Sequence, residues 1–176
     1  MTQRADIRFA VTYILLAAAQ IIICNYMFLG PLVTLTLLPP LIMFLPLSQK
    51  TSTSMLIAFL TGLVVDWISD GVLGLNAAAL VPVALLQKPL IRLFVGEDVV
   101  VRGDAVTVGR SGWFKVLAPG AVALGLFLAI YIILDGAGTK TFLFNLGRWS
   151  CSFAACLPLE VILVYLFSHQ DRREAL

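Results

Sequence analysis

The sequence predicts an all-α integral membrane protein, a single polytopic domain over residues 1–176 built as a bundle of six transmembrane helices. Three observations carry that expectation. Hydrophobic residues make up 60% of the chain and charged residues 12%, with a mean hydropathy of +0.99, far above a soluble globular domain. Apolar runs long enough to cross a bilayer recur along the whole length. The twelve Lys and Arg residues gather between those runs, where they report topology.

A helix crossing about 30 Å of hydrocarbon needs roughly 17 to 25 apolar residues. Such runs occupy 8–28, 30–47, 54–71, 76–95, 113–134 and 143–168. The first is followed by several more, which argues against a cleaved signal peptide. The second, "LLPPLIMFLP", carries Pro39, Pro40 and Pro46, which remove backbone donors and disfavour helix before them, so this span should bend or break near its middle. In hydrocarbon a break is tolerated against protein or a wet cavity. The segment is therefore either one wall of a groove or an ordinary proline kink. The third and fourth runs are short enough to form either two full crossings or a re-entrant hairpin. The fifth carries Ala121, Gly125 and Ala129 at four-residue spacing, a small-residue stripe suited to internal helix packing more than to a dimer seam.

Residues 96–112, "GEDVVVRGDAVTVGRSG", form the one sizeable extramembrane piece, with two valine-rich runs that suggest a small hairpin or a mobile loop. Arg102-Gly103-Asp104 reads as its turn. With a cytoplasmic N-terminus, Arg4, Arg8, Lys50, Lys88, Arg92, Arg102, Arg110, Lys115, Arg172 and Arg173 fall on the cytoplasmic side and only Lys140 and Arg148 outside. Both termini are then cytoplasmic.

Few residues offer chemistry. Cys24, Cys151 and Cys156 lie in apolar runs at spacings that fit no zinc pattern, and read as buried free thiols. The single histidine, His169, falls in the tail, and phosphate-binding, zinc-protease and nucleophile-elbow motifs are all missing. The expectation is a protein that is not an enzyme, with no metal, no cofactor and no nucleic-acid partner.

The ionisable residues inside the spans are the informative ones, because such groups are costly in lipid and usually face the bundle interior. At 1.5 Å per residue from position 54, Asp66 lies about 18 Å deep and Asp70 about 24 Å. Counting back from 168, Arg148 lies about 30 Å away, near the outer surface. That suggests an Asp70–Arg148 pair. Glu160 at about 12 Å and Lys88 at about 10 Å match in depth, suggesting a second pair between the last and fourth helices. Asp66 is left without a cationic partner, and could donate a hydrogen bond while neutral, face a polar cavity or meet a partner protein. Gly71 and Gly74 let the chain turn, and Asn76 can cap the next helix.

At these residues, "LLPPLIMFLPL" through a polar turn to "SMLIAFLTGLVVDWISDGVLGLNAAALVPVALL", the chain resembles the MreD rod shape-determining family. The likeness covers about residues 35 to 90 by motif and the rest by hydropathy. It implies a fold similar to the S subunits of energy-coupling-factor transporters. It also implies a subunit of the bacterial cell-elongation machinery in the cytoplasmic membrane. The implied partner is the single-span MreC scaffold, which links to MreB and the wall-synthesising polymerase and transpeptidase. The family's positions fall on Gly62, Asp66, Gly71, Gly74 and Asn76; where the family often carries an acid after its proline, this chain has Pro39-Pro40-Leu41.

Three readings follow. The leading one is a scaffold in the lipid bilayer that receives a partner's transmembrane helix near the broken second span and the Asp66 turn. The alternative is a small-molecule-binding transporter subunit, with Asp66, Asp70, Asn76 and Arg148 as its pocket. Against it, Trp67 and Trp149 are the main outer aromatics and polar groups are few. A proton-coupled carrier using Asp66 and Glu160 is disfavoured, because the two acids lie at different depths with no relay between them.

Overall fold

A computed structural model describes residues 2–26, 30, 32–70, 72–102, 112–136 and 140–174, and within that set the side chains of 10–26, 30, 32–69, 72–100, 112–136 and 140–166. Among the described residues every regular element is a helix and there is no strand. The helices are α1 (Thr2–Tyr26), α2 (Leu38–Met43), α3 (Thr51–Val65, continued by a π-helical turn Asp66–Asp70), α4 (Leu75–Phe94), α5 (Glu97–Arg102), α6 (Trp113–Gly136) and α7 (Phe142–Glu174).

Among the described residues four stretches are long and apolar enough to cross a membrane: Thr51–Ser69, Leu75–Phe94, Trp113–Gly136 and Phe142–Leu166. Ala10–Tyr26 is a shorter apolar helix. The chain thus has the character of a multi-pass membrane protein. The third and fourth runs, at 19 and 20 residues, are each long enough for a full crossing rather than half of a re-entrant hairpin.

The second run departs most from a simple helix. From 33 to 37 it has no regular secondary structure, it coils only over α2, and it turns again before α3. Prolines at the start of α2 fit there because the first turn of a helix needs no N–H donors. The segment nevertheless passes along α7. Thr34 meets Ser152, Thr36 meets Cys156, and Pro40, Met43 and Phe44 share a pocket with Glu160 and Val164. Break and bend are as the prolines predict. The groove is not, since Thr36 to Met43 are all buried and the broken segment fills the bundle's interior instead of walling an opening.

The core lies between α2, α4 and α6, around Leu38, Ile42, Leu80, Leu124, Phe127 and Leu128. A smaller cluster joins Leu37, Leu41 and Leu163 to α1 through Tyr13 and Leu16. At Gly125 of the small-residue stripe an added Cβ would stand 3.5 Å from Trp149 and 3.6 Å from Phe153 of α7, and the Gly125 carbonyl accepts from the Trp149 indole N–H at 2.9 Å, so this position of the stripe serves internal packing. Outward faces are apolar, with Leu60, Val64 and Trp67 on α3 and Ile133 on α6 exposed as lipid-facing side chains would be.

In the loop, the first valine run forms α5 instead of a strand, and residues 103–111, with most of the Arg-Gly-Asp turn, lie outside the described set. None of the three cysteines is in a disulfide; Cys156 is buried as expected, Cys24 is partly covered, and Cys151 is exposed on α7.

Candidate functional site

The non-helical stretch sets the problem that the polar residues solve. Irregular backbone inside a bilayer must find its hydrogen bonds within the protein. Gln20 of α1 does much of this, accepting from the Leu37 N–H at 2.6 Å and donating to the Leu35 carbonyl at 3.2 Å. From α7, the Ser152 hydroxyl accepts from Thr34 N–H at 2.9 Å and the Cys156 sulfur from Thr36 N–H at 3.3 Å. From α4, the Gln87 amide donates to the Leu45 carbonyl at 2.9 Å and the Lys88 ammonium to the Gln49 carbonyl at 2.6 Å. Gln20 and Gln87 were missed at the sequence level, although an amide well inside an apolar run is itself the signal of an inward-facing polar group.

Asp66 is fully buried at the first residue of the π turn. Its carboxylate accepts from the backbone N–H groups of Gly74 at 2.9 Å, Asn76 at 3.0 Å and Ala77 at 3.3 Å, and from the Asn76 side-chain amide at 2.8 Å. These N–H groups belong to the first turn of α4, which has no intrahelical acceptors for them and carries the positive end of the helix dipole. Asp66 therefore caps α4 from the preceding helix. This corrects two expectations: Asn76 does not cap the helix but donates to the capping acid, and Asp66 accepts hydrogen bonds from α4 instead of donating one.

The surroundings are built for that contact. Gly74 takes φ +95°, a left-handed conformation that glycine reaches without strain. Gly62 is buried where α3 and α4 touch, and a Cβ there would stand 2.5 Å from the Ala77 Cα. Pro39 and Pro40 are buried in α2, away from this turn. Gly71 and the Asp70 side chain lie outside the described residues.

The proposed Lys88–Glu160 pair does not form, and the Asp70 side chain of the other proposed pair lies outside the described residues. Arg148 reaches back to Asp135 at the end of α6 and also donates to the Thr34 hydroxyl at 3.0 Å, with Lys140 3.9 Å from the same Asp135 carboxylate. Asp135 was available to the depth count, since α6 and α7 are neighbours joined by a short connection at that end. Depth alone does not choose among acids. Lys88 turns to the Gln49 carbonyl, and Glu160, 1% exposed, has no hydrogen-bond partner on either oxygen. Around Glu160 lie Pro40, Met43, Phe44, Ile91, Val116, Pro119, Gly120 and Val164.

Comparisons with known protein families, with characterised proteins and with solved structures find no match. Among the described residues no group of three or more His, Cys, Asp or Glu side chains could hold a metal ion.

Proposed function

We propose that the chain is a non-enzymatic membrane subunit of the bacterial cell-elongation complex, of the MreD type, involved in cell shape and peptidoglycan synthesis. It lies in the cytoplasmic membrane with both termini inside. Its partner is a single-span MreC-like protein, through which it meets the MreB filament and the wall-synthesis polymerase and transpeptidase. One observation carries the choice of a scaffold over a small-molecule carrier. The polar groups that a ligand pocket would use are committed to the fold itself: Asp66 to the backbone of α4, Asn76 to Asp66, and Arg148 to Asp135 and Thr34.

The pocket at Glu160, about 10 Å³, is far below the several hundred Å³ of a small-molecule site. With the broken segment buried, the partner helix has its surface on the outer side of α3 and the Asp66 turn, where Leu60, Val64, Trp67, Val72 and Leu73 are exposed. Rigid apolar anchors such as Trp67, 77% exposed, are the side chains that helix partners use most.

Mild-detergent purification from a bacterial membrane, with a photo-crosslinking residue at position 67 or 133, tests the reading. A single-span protein with a periplasmic coiled coil, crosslinked from 67 and not from 133, is the expected result. A stoichiometric vitamin and an ATPase, with no such protein, would replace the scaffold by a transporter subunit.

A further inference from the structure

We propose that Lys50, Lys88 and Arg92, at the end of the bundle where α3 begins and α4 ends, hold the phosphate of one anionic phospholipid from the leaflet at that end. The inference does not rest on the partner reading. It begins from how the fold gathers the three cations. α3 and α4 run antiparallel, in close contact at Gly62 and Ala77, so that Lys50, the residue before α3, stands beside the last turns of α4. The Lys88 ammonium ties the two together by donating to the carbonyl of Gln49, the neighbour of Lys50, at 2.6 Å. Arg92 follows Lys88 by four residues, and therefore lies one turn further along the same face of α4.

The cluster lacks a counter-charge. Among the described residues neither the Lys50 nor the Arg92 side chain makes a hydrogen bond or an ion pair. Both are exposed, and Lys88 is half-buried with one of its three N–H groups committed. Two exposed acids stand at this end, Glu97 and Asp98 of α5, against Lys50, Lys88, Arg92 and Lys115 of α6, so the described side chains here stay net positive. No side chain caps α3, and the positive end of its dipole adds to the same field.

Depth and neighbours select the source of the phosphate. Lys88 and Arg92 both lie within Leu75–Phe94, a stretch long and apolar enough to cross a membrane, and Lys88, six residues before its end, is about 9 Å inside it. Long cationic side chains at that depth extend to the headgroup layer, where basic pockets between transmembrane helices receive lipid phosphates. A guanidinium binds phosphate oxygens in pairs, and the two ammonium groups add point charges beside it. Just inside the cluster the surface turns apolar. Leu85 and Pro89 precede Arg92 by seven and three residues on one face of α4 and are exposed, as are Leu56 and Phe59 of α3. A lipid held by its phosphate finds a bed for its acyl chains there, from which a soluble phosphate gains nothing.

The test is native mass spectrometry of the full chain, released from detergent and titrated with phosphatidylglycerol or with phosphatidylcholine of the same acyl chains. One phosphatidylglycerol per chain should bind, roughly tenfold more tightly than phosphatidylcholine. Lys50→Gln and Arg92→Gln should each weaken the anionic lipid roughly fivefold, and together about thirtyfold. Arg92→Lys keeps the charge and should recover most of the loss. Lys115→Gln removes a cation at the same end but outside the cluster, and should change affinity by less than about twofold. Melting temperatures of all variants in lipid-free detergent should match the parent's, because the exchanged side chains hold no partner among the described residues. Equal retention of the two lipids, or an effect of Lys115→Gln as large as that of Arg92→Gln, would overturn the proposal. So would lower lipid-free melting temperatures, which would make these side chains structural, and displacement of the lipid by millimolar inorganic phosphate, which would assign the cluster to a soluble anion.

Discussion

Asp66 and Glu160 are both acids buried in apolar helices, 0% and 1% exposed, yet their surroundings are opposite. Asp66 meets four N–H donors at the start of α4, whereas Glu160 meets none. The difference teaches that burial of a charge does not assign its role; the neighbouring backbone does. A helix start supplies unpaired donors in a fixed array and turns an acid into architecture. Mid-helix walls have their N–H groups already engaged, and an acid facing them is left without donors.

Substitutions can break or sharpen this contrast, and the largest effect belongs to Asp66. Asp66→Asn replaces an acceptor by an amide that cannot satisfy the same array, and should lower stability by roughly 2 to 4 kcal/mol in a denaturant titration. Next comes Gly62→Val. With Ala77 Cα 2.5 Å from the added carbon, α3 and α4 must separate, at a cost of about 1 to 3 kcal/mol; crosslinking between cysteines placed across the two helices reports the separation.

Arg148→Met should cost about 1 to 2 kcal/mol, because its acid Asp135 is partly solvated, and a double-mutant cycle with Asp135→Asn should show coupling between the two. The smallest effect is expected at Glu160. Glu160→Met removes an uncompensated acid in favour of a shape-matched apolar side chain, and should leave stability within about 1 kcal/mol of the parent or raise it. The exchange Lys88→Glu with Glu160→Lys should rescue nothing, since the two side chains do not meet.

Much of this architecture is legible in the sequence, for reasons that differ by element. The runs that became α1, α3, α4, α6 and α7 are visible because lipid demands apolar length and charge marks its edges. Pro39, Pro40 and Pro46 announce a break, but not that the broken stretch would lie inside the bundle, because burial depends on which helices close around it. Asp66 is visible as an oddity. Its partner is not, because a backbone N–H belongs to every residue and carries no letter in the sequence. Arg148 illustrates a different limit: matching depths leave Asp70 and Asp135 equal, and only adjacency of α6 and α7 selects Asp135.

One paired measurement reaches the centre of this account: unfolding free energies of Asp66→Asn and Glu160→Met, determined in the same lipid and buffer against the parent chain. The account predicts a loss of roughly 2 to 4 kcal/mol for the first and no loss for the second. Equal losses, or a stable Asp66→Asn beside a collapsed Glu160→Met, would contradict it.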